Sequence, residues 1–264
     1  MQRNIKLILE YEGTNYHGWQ SQAGSGRSTV QETVERAIEN LSHEAVNLHS
    51  SGRTDAGVHA LGHVANFTTM KAMPPEAWAP ALNHLLPPDI RVLSSEEVSS
   101  DFHARYSASG KTYKYVILNR DAPSALHRSR AWHIPKILSL PAMRRAAAYL
   151  VGTHDYSAFR ASACSAKNPV RSLKTLEITK RGDFIDILLT ADAFLQHMAR
   201  NIAGTLVEVG LGRFKPEGVK RILASKDRRM AGKTAPPQGL YLVEVYYKKK
   251  IKRTAKAQRA QMSR

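Results

Sequence analysis

Only one cysteine, Cys164, occurs in 264 residues, so the chain can form no internal disulfide and carries no paired-cysteine zinc signature, including that of nucleobase deaminases. This usage fits a reducing cytosol. No apolar run approaches the ~18 residues that a membrane span needs, and the opening MQRNIKLILEYEG turns acidic before a signal-peptide core can form. The expected setting is soluble and cytoplasmic. Acids are scarce too: 22 Asp and Glu stand against 39 Lys and Arg, a formal charge of +17. That surplus suits a polyanionic partner, nucleic acid or an anionic membrane surface. Lys248 to Arg264 holds eight Lys or Arg and no acid, leaving +9 on the first 247 residues. The chain also lacks GxxxxGKS or GxxxxGKT, a complete GxGxxG after a strand, HExxH and GxSxG, so the common nucleotide-cofactor, zinc-protease and serine-hydrolase classes lose support.

What is present reads as two similar halves. Alternation in NIKLILEYE predicts a strand from about Asn4 to Glu12, followed by a polar loop through Gly13, Gly18, Gly24 and Gly26. Thr29 and Glu32 have capping-box spacing, and Val30, Val34, Ala37, Ile38 and Leu41 then share one helical face. Strands are expected at Ala45 to His49, Val64 to Thr69 and Ile90 to Val98, with a helix at Pro75 to Leu86. The order βαββαβ returns in the second half. It comprises a strand at Thr112 to Asn119, a helix at Pro141 to Val151, and a hairpin pairing Ser172 to Thr179 with Phe184 to Thr190 around Gly182. Helices at Leu195 to Val209 and Glu217 to Ala224 and a strand at Leu240 to Tyr247 complete it. The expected fold is α+β: two ferredoxin-like βαββαβ halves with mainly antiparallel sheets, helices on one face and a cleft between the halves. The divisions are 1–104, 105–247 and a basic, disordered tail at 248–264.

Such domains host many functions, so the site residues must decide. Gly52 to Ala60 places Arg53, Asp55 and His59 in a Gly-bounded connection between two predicted strands. In extended backbone residues i and i+2 face the same way, so Arg53 and Asp55 can address one ligand, with Gly52 and Gly57 allowing close approach. An Asx-turn with a surface ion pair fits the same residues. His59 and His63 have i, i+4 spacing but no nearby third ligand, so polar or packing roles are expected there and no metal.

Further motifs change the weighting. GRTDAGVHA, with YEGTNYHGWQSQ from Tyr11, VQETVERAI from Val30, DFHARYSASGKTYKYVI from Asp101, FLQHMARNIAGTLVEVG from Phe194 and GLYLVEVYY from Gly239, resembles the tRNA pseudouridine synthase A (TruA) family in residues and in order. The resemblance covers nearly the whole chain up to Tyr247 and leaves the tail outside. It implies that Asp55 is the nucleophile, that Tyr113 contacts the target uracil, that Arg200 pairs with Asp55, and that Arg53 helps displace the target base and fills its place. It further implies isomerisation of uridines at tRNA positions 38, 39 and 40, in the anticodon stem and loop, and a homodimer.

Physical chemistry is consistent with each role. Breaking the bond from ribose C1′ to uracil N1 and joining C1′ to C5 needs no redox agent or energy source, so no cofactor is expected. A guanidinium beside Asp55 favours its ionised form, which a nucleophile requires. Tyr113 can stack on a loosened uracil, while its alternation with Tyr115 also suits core packing. A duplexed base must be swung out at a cost of a few kcal/mol. Arg105, Lys111, Lys114 and Arg171 are candidate phosphate contacts, each of which also reads as a solvated charge. Two alternatives share these features: a non-catalytic RNA-binding protein, and a pseudouridine synthase acting on another RNA. Deleting residues 248–264 is expected to weaken tRNA binding and flatten its salt dependence while leaving the modified positions unchanged. Filter binding across a salt series checks this, and an unaltered slope contradicts a phosphate-binding tail.

Overall fold

The expected capping box forms: the Glu32 N–H donates to Thr29 Oγ1 at 3.3 Å and the Thr29 N–H to Glu32 Oε2 at 3.3 Å. In this computed structural model, which describes residues 1–20 and 28–248, that box starts a helix whose Val30, Val34, Ala37 and Ile38 are buried. Gly24, Gly26 and the tail from 249 lie outside the described residues.

The first half runs β1 (Arg3–Tyr11), α1 (Val30–Ser42), β2 (His49–Ser50), β3 (His59–Thr69), α2 (Trp78–Leu85) and β4 (Ile90–Val98). The second runs β5 (Ala108–Leu118), β6 (Trp132–His133), α3 (Leu140–Ala148), β7 (Gly152–Asp155), β8 (Val170–Arg181), β9 (Phe184–Ala191), α4 (Met198–Gly210), α5 (Gly218–Ser225) and β10 (Leu240–Tyr247). The described strands form one sheet in the order β4-β1-β3-β10-β5-β9-β8-β7, with β2 on β3 and β6 on β5. Within each half the order is that of a ferredoxin-like unit, β4-β1-β3-β2 and β10-β5-β9-β8. Alternate residues Ile5, Leu7, Leu9 and Tyr11 of β1 are buried, as are Tyr113, Tyr115 and Ile117 of β5. Helix α2 packs on β4, α3 on β8 and α4 on β5.

A short joint fuses the halves. Parallel pairing of β10 with β3 consists of Tyr241 opposite His59 and Leu242 opposite Ala60. Gly62 makes it possible, because a Cβ there would lie 2.5 Å from the Val243 carbonyl oxygen. The His59 ring stacks on Tyr241 at 4.7 Å. Its Nδ1 accepts the Gly13 N–H at 3.1 Å, so the proton sits on Nε2, which donates to the carbonyls of Ser129 and Gln238 at 2.9 and 3.1 Å. Tyr241 Oη donates to the Arg130 carbonyl at 2.6 Å, and the Arg130 side chain pairs with Glu12.

Several boundaries differ from the sequence expectation. The strand expected at Ala45 to His49 is reduced to two residues, because the Leu48 N–H goes to Glu35 Oε1 at 2.9 Å instead of to a neighbouring strand. Strand β3 starts five residues before Val64, since His59 and His63 are buried where patterning counts histidine as surface. Helix α4 starts at Met198, not Leu195, because His197 takes the left-handed conformation, φ 61°. Gly62→Ala is expected to cost about 2 kcal/mol or more, since the atom it meets is backbone in the joint. Urea unfolding measures this, and a change below about 0.5 kcal/mol would show that the joint yields easily.

Candidate active site

Asp55 sits in the connection between β2 and β3, and the segment after β1 forms its floor. The Trp19 N–H donates to the Thr54 carbonyl at 3.1 Å and the Gly57 N–H to the Tyr16 carbonyl at 3.4 Å. Gly18, at φ +86°, approaches so closely that a Cβ would lie 2.5 Å from the Thr54 carbonyl oxygen. Thr54 is held from inside by a hydrogen bond of 2.8 Å between its Oγ1 and Tyr11 Oη. The turn closes on itself where the Val58 N–H reaches the Asp55 carbonyl at 3.1 Å. With its backbone clamped on these sides, Asp55 projects a carboxylate that remains 30% exposed.

The opposite wall is the first turn of α4. Arg200 Nη1 donates to Asp55 Oδ2 at 2.8 Å, and its Nε to the Ala235 carbonyl at 2.8 Å, which fixes the guanidinium plane. The Ala235 N–H returns to the Arg200 carbonyl at 3.2 Å. Glycines permit this clamp: a Cβ on Gly204 would lie 1.8 Å from the Lys233 carbonyl oxygen, and one on Gly232 2.8 Å from Thr205 Cα. Arg200 is only 13% exposed, so its charge acts on Asp55 with limited solvent screening.

His197, which sequence reasoning did not single out, places Nε2 3.4 Å from Asp55 Oδ2. Burial lowers its pKa below the ordinary histidine value, Asp55 opposes that, and Arg200 and Arg228 reinforce it. The imidazole is therefore neutral at pH 7. Its only signal was a place three residues before Arg200 in FLQHMARNI.

Tyr113 is buried on β5 with its ring edge-on to Phe194 at 4.8 Å. Burial raises its pKa, and the negative charge of Asp55 raises it further. Among the described residues its hydroxyl has no hydrogen-bond partner. Arg53 is not brought to Asp55: it is exposed at the rim and has no ion pair or hydrogen bond among the described residues. His63 stacks on Trp19 at 3.8 Å, with its pKa held well below the usual value by burial and by the charge of Lys111. Among the described residues no three His, Cys, Asp or Glu side chains are grouped to hold a metal ion.

Comparison with known proteins adds the deciding observation. A family model described as tRNA pseudouridine synthase matches residues 7–107 and 146–248. The chain belongs to that family. A tRNA pseudouridine synthase A of Acetivibrio thermocellus is 50% identical over 245 residues, covering 93% of this chain and 100% of the relative. Similar relatives include a tRNA pseudouridine synthase A 2 of Clostridium tetani, 47% identical over 94% of this chain and 100% of its own length, and a tRNA pseudouridine synthase A of Myxococcus xanthus, 47% identical over 92% of each. Asp55 and Arg200 fall in the two matched segments of this tRNA pseudouridine synthase family member, and Tyr113 lies between them.

Lys111, two residues before Tyr113, approaches the Asp55 connection at Gly52, where a Cβ would lie 2.6 Å from its Nζ. Burial, helped by the charge of Arg105, pushes the Lys111 pKa down to about 8 from an ordinary 10.5. Between those values the unfolded chain binds the extra proton, so this group makes stability rise with pH there, while below about 8 its full penalty is present. Lys111→Met is expected to raise Tm at pH 7, with an advantage that shrinks as pH passes 8. Thermal melts from pH 7 to 10 read this directly, and a difference independent of pH contradicts it.

Proposed function

We propose that the protein isomerises uridine to pseudouridine at positions 38, 39 and 40 in the anticodon stem and loop of tRNA, with Asp55 as the nucleophile. The observation that carries this reading is the 2.8 Å contact between Asp55 and Arg200, which sets a partly exposed carboxylate from the first half against a guanidinium from the second. The division near residue 104 gives each half one member of that pair. Asp55 attacks C1′ as the base departs, abstracts a ribose proton, or adds to uracil C6. Each route uses the carboxylate, against which Arg200 sets an opposite charge at 2.8 Å.

Tyr113 supplies a face for the detached uracil to stack on. Its raised pKa keeps the hydroxyl protonated at neutral pH, so it serves as a hydrogen-bond donor to the base and not as a proton acceptor. Arg53, exposed and without a partner among the described residues, enters the space left by the flipped base. The C1′–N1 bond breaks, C1′–C5 forms, and the C5 hydrogen passes to solvent while N1 gains a proton. Uridine and pseudouridine are isomers, so the balance calls for no cofactor.

The surplus of positive charge suits a tRNA partner. No helix of the described residues is long and apolar enough to cross a membrane. We place the enzyme in the cytoplasm as a homodimer in which one tRNA touches both subunits, a reading supported by the family resemblance. Asp55→Ala is expected to abolish tritium release from 5-tritiated uridine in tRNA, a loss of at least about 10³-fold, while tRNA binding stays within about threefold. Turnover like that of the unmodified chain would overturn the nucleophile assignment, and position-specific sequencing of the RNA product separates tRNA from other RNA substrates.

A further inference from the structure

Beyond the Asp55 site, a cluster of flat and cationic groups stands at the protein surface without a role in the core. His49, which opens β2, stacks on His103 with ring centroids 4.7 Å apart and an interplanar angle of 27°. His103 meets Tyr106 at 4.4 Å, and the Arg105 guanidinium lies 5.8 Å from the Tyr106 centroid. Tyr106 is 77% exposed, a large aromatic ring left in water. A tight turn presents the set: the His103 N–H donates to Ser107 Oγ at 3.1 Å, the Ser107 N–H to the His103 carbonyl at 2.9 Å, and the Arg105 N–H to His103 Nδ1 at 3.1 Å. Burial lowers the His103 pKa, and the neighbouring His49 and Arg105 lower it further, so at pH 7 its ring is neutral and stacks without charge repulsion.

The cluster is continuous with the proposed active site. From His49 the chain passes through Ser50, whose Oγ donates to the Gly52 carbonyl at 3.2 Å, to the glycine that faces Lys111 Nζ. Lys111 and Tyr113 share one face of β5, being two residues apart on a strand. Arg105 is near enough to act on the charge of Lys111. Neither cationic group has an ion pair among the described residues, although Lys111 is half-buried and its pKa is lowered by desolvation. An unpaired, desolvated ammonium costs stability, and an anionic ligand would offset that cost.

Rings edged by cations that have no ion-pair partner among the described residues suit single-stranded nucleic acid, in which bases stack on the rings and phosphates meet the cations. We infer that His49, His103 and Tyr106 stack an unpaired base next to the target uridine, while Arg105 and Lys111 hold the phosphates that link that nucleotide to the target. This inference rests on the proposed reaction at Asp55.

The test uses the full chain and a tRNA transcript with its target uridine at position 39, carrying position 38 either intact or abasic. Tyr106→Ala is expected to raise KM about tenfold on intact RNA, the loss of one base stack, with the effect in KM and not in kcat. Tyr106→Trp restores KM. On the abasic RNA the unmodified chain and Tyr106→Ala converge. Lys111→Gln is expected to reduce the slope of log Kd against log salt by about one, whereas Tyr106→Ala leaves the slope unchanged. Equal losses on intact and abasic RNA, no rescue by Tyr106→Trp, an unaltered slope in Lys111→Gln, or a Tyr106→Ala defect confined to subunit association would each overturn the inference. If the unmodified chain releases no tritium from tRNA, the proposed reaction fails, yet Kd values for the two RNAs still read the stacking subsite separately.

Discussion

Arg200 and Asp55 are separated by 145 positions in the chain, yet their side chains meet at 2.8 Å. Taking a guanidinium and a carboxylate partly out of water costs several kcal/mol, and their attraction offsets that only when both are held in good geometry with their other hydrogen-bonding groups satisfied. Many of the close approaches around the site serve this condition. On one side Gly204 and Gly232 let the 232–235 segment press against α4, so that Ala235 can accept the second Arg200 hydrogen bond. On the other, Gly18 and the Tyr11–Thr54 hydrogen bond fix the backbone from which Asp55 projects. Between them, the two-residue joint of β3 with β10 sets the distance between the halves.

The same region retains groups that work against stability. Lys111 stays half-buried with a depressed pKa, His63 is fully buried and neutral, and Tyr113 keeps a hydroxyl with no hydrogen bond among the described residues. His197 holds a left-handed backbone at the start of α4, a conformation that costs a non-glycine residue roughly 1–2 kcal/mol. Strain and unsatisfied polar groups gathered at one place suit a binding site for a charged and aromatic ligand. A flipped nucleotide brings such chemistry, with a phosphate for the cations and a flat base for the rings.

Much of the scaffold was legible locally. Thr29 and Glu32 announced α1, alternation marked β1 and β5, and Gly182 marked the turn between β8 and β9. Patterning failed where burial depends on distant partners. His59 and His63 are expected in polar or packing roles and outside the expected strand, whereas His59 is buried by hydrogen bonds to residues 13, 129 and 238 and His63 by its stack on Trp19, which brings the whole segment into β3. At the site, the Gly-bounded place of Asp55 was visible in SGRTDAGVHA, the pairing with Arg200 rested on family resemblance, and His197 gave no signal of its own.

By itself, then, the sequence determined the charge surplus, the order of helices and strands in each half, and a carboxylate in a Gly-bounded connection, because these depend on composition and on neighbours a few residues apart. Tertiary structure alone decided that the two halves share one sheet, that Arg53 stays apart from Asp55 while Arg200 and His197 reach it, and that Lys111 is desolvated beside Gly52. Those outcomes depend on close approaches between segments far apart in the chain. A glycine permits such an approach but does not specify its partner, so no local period or propensity records it.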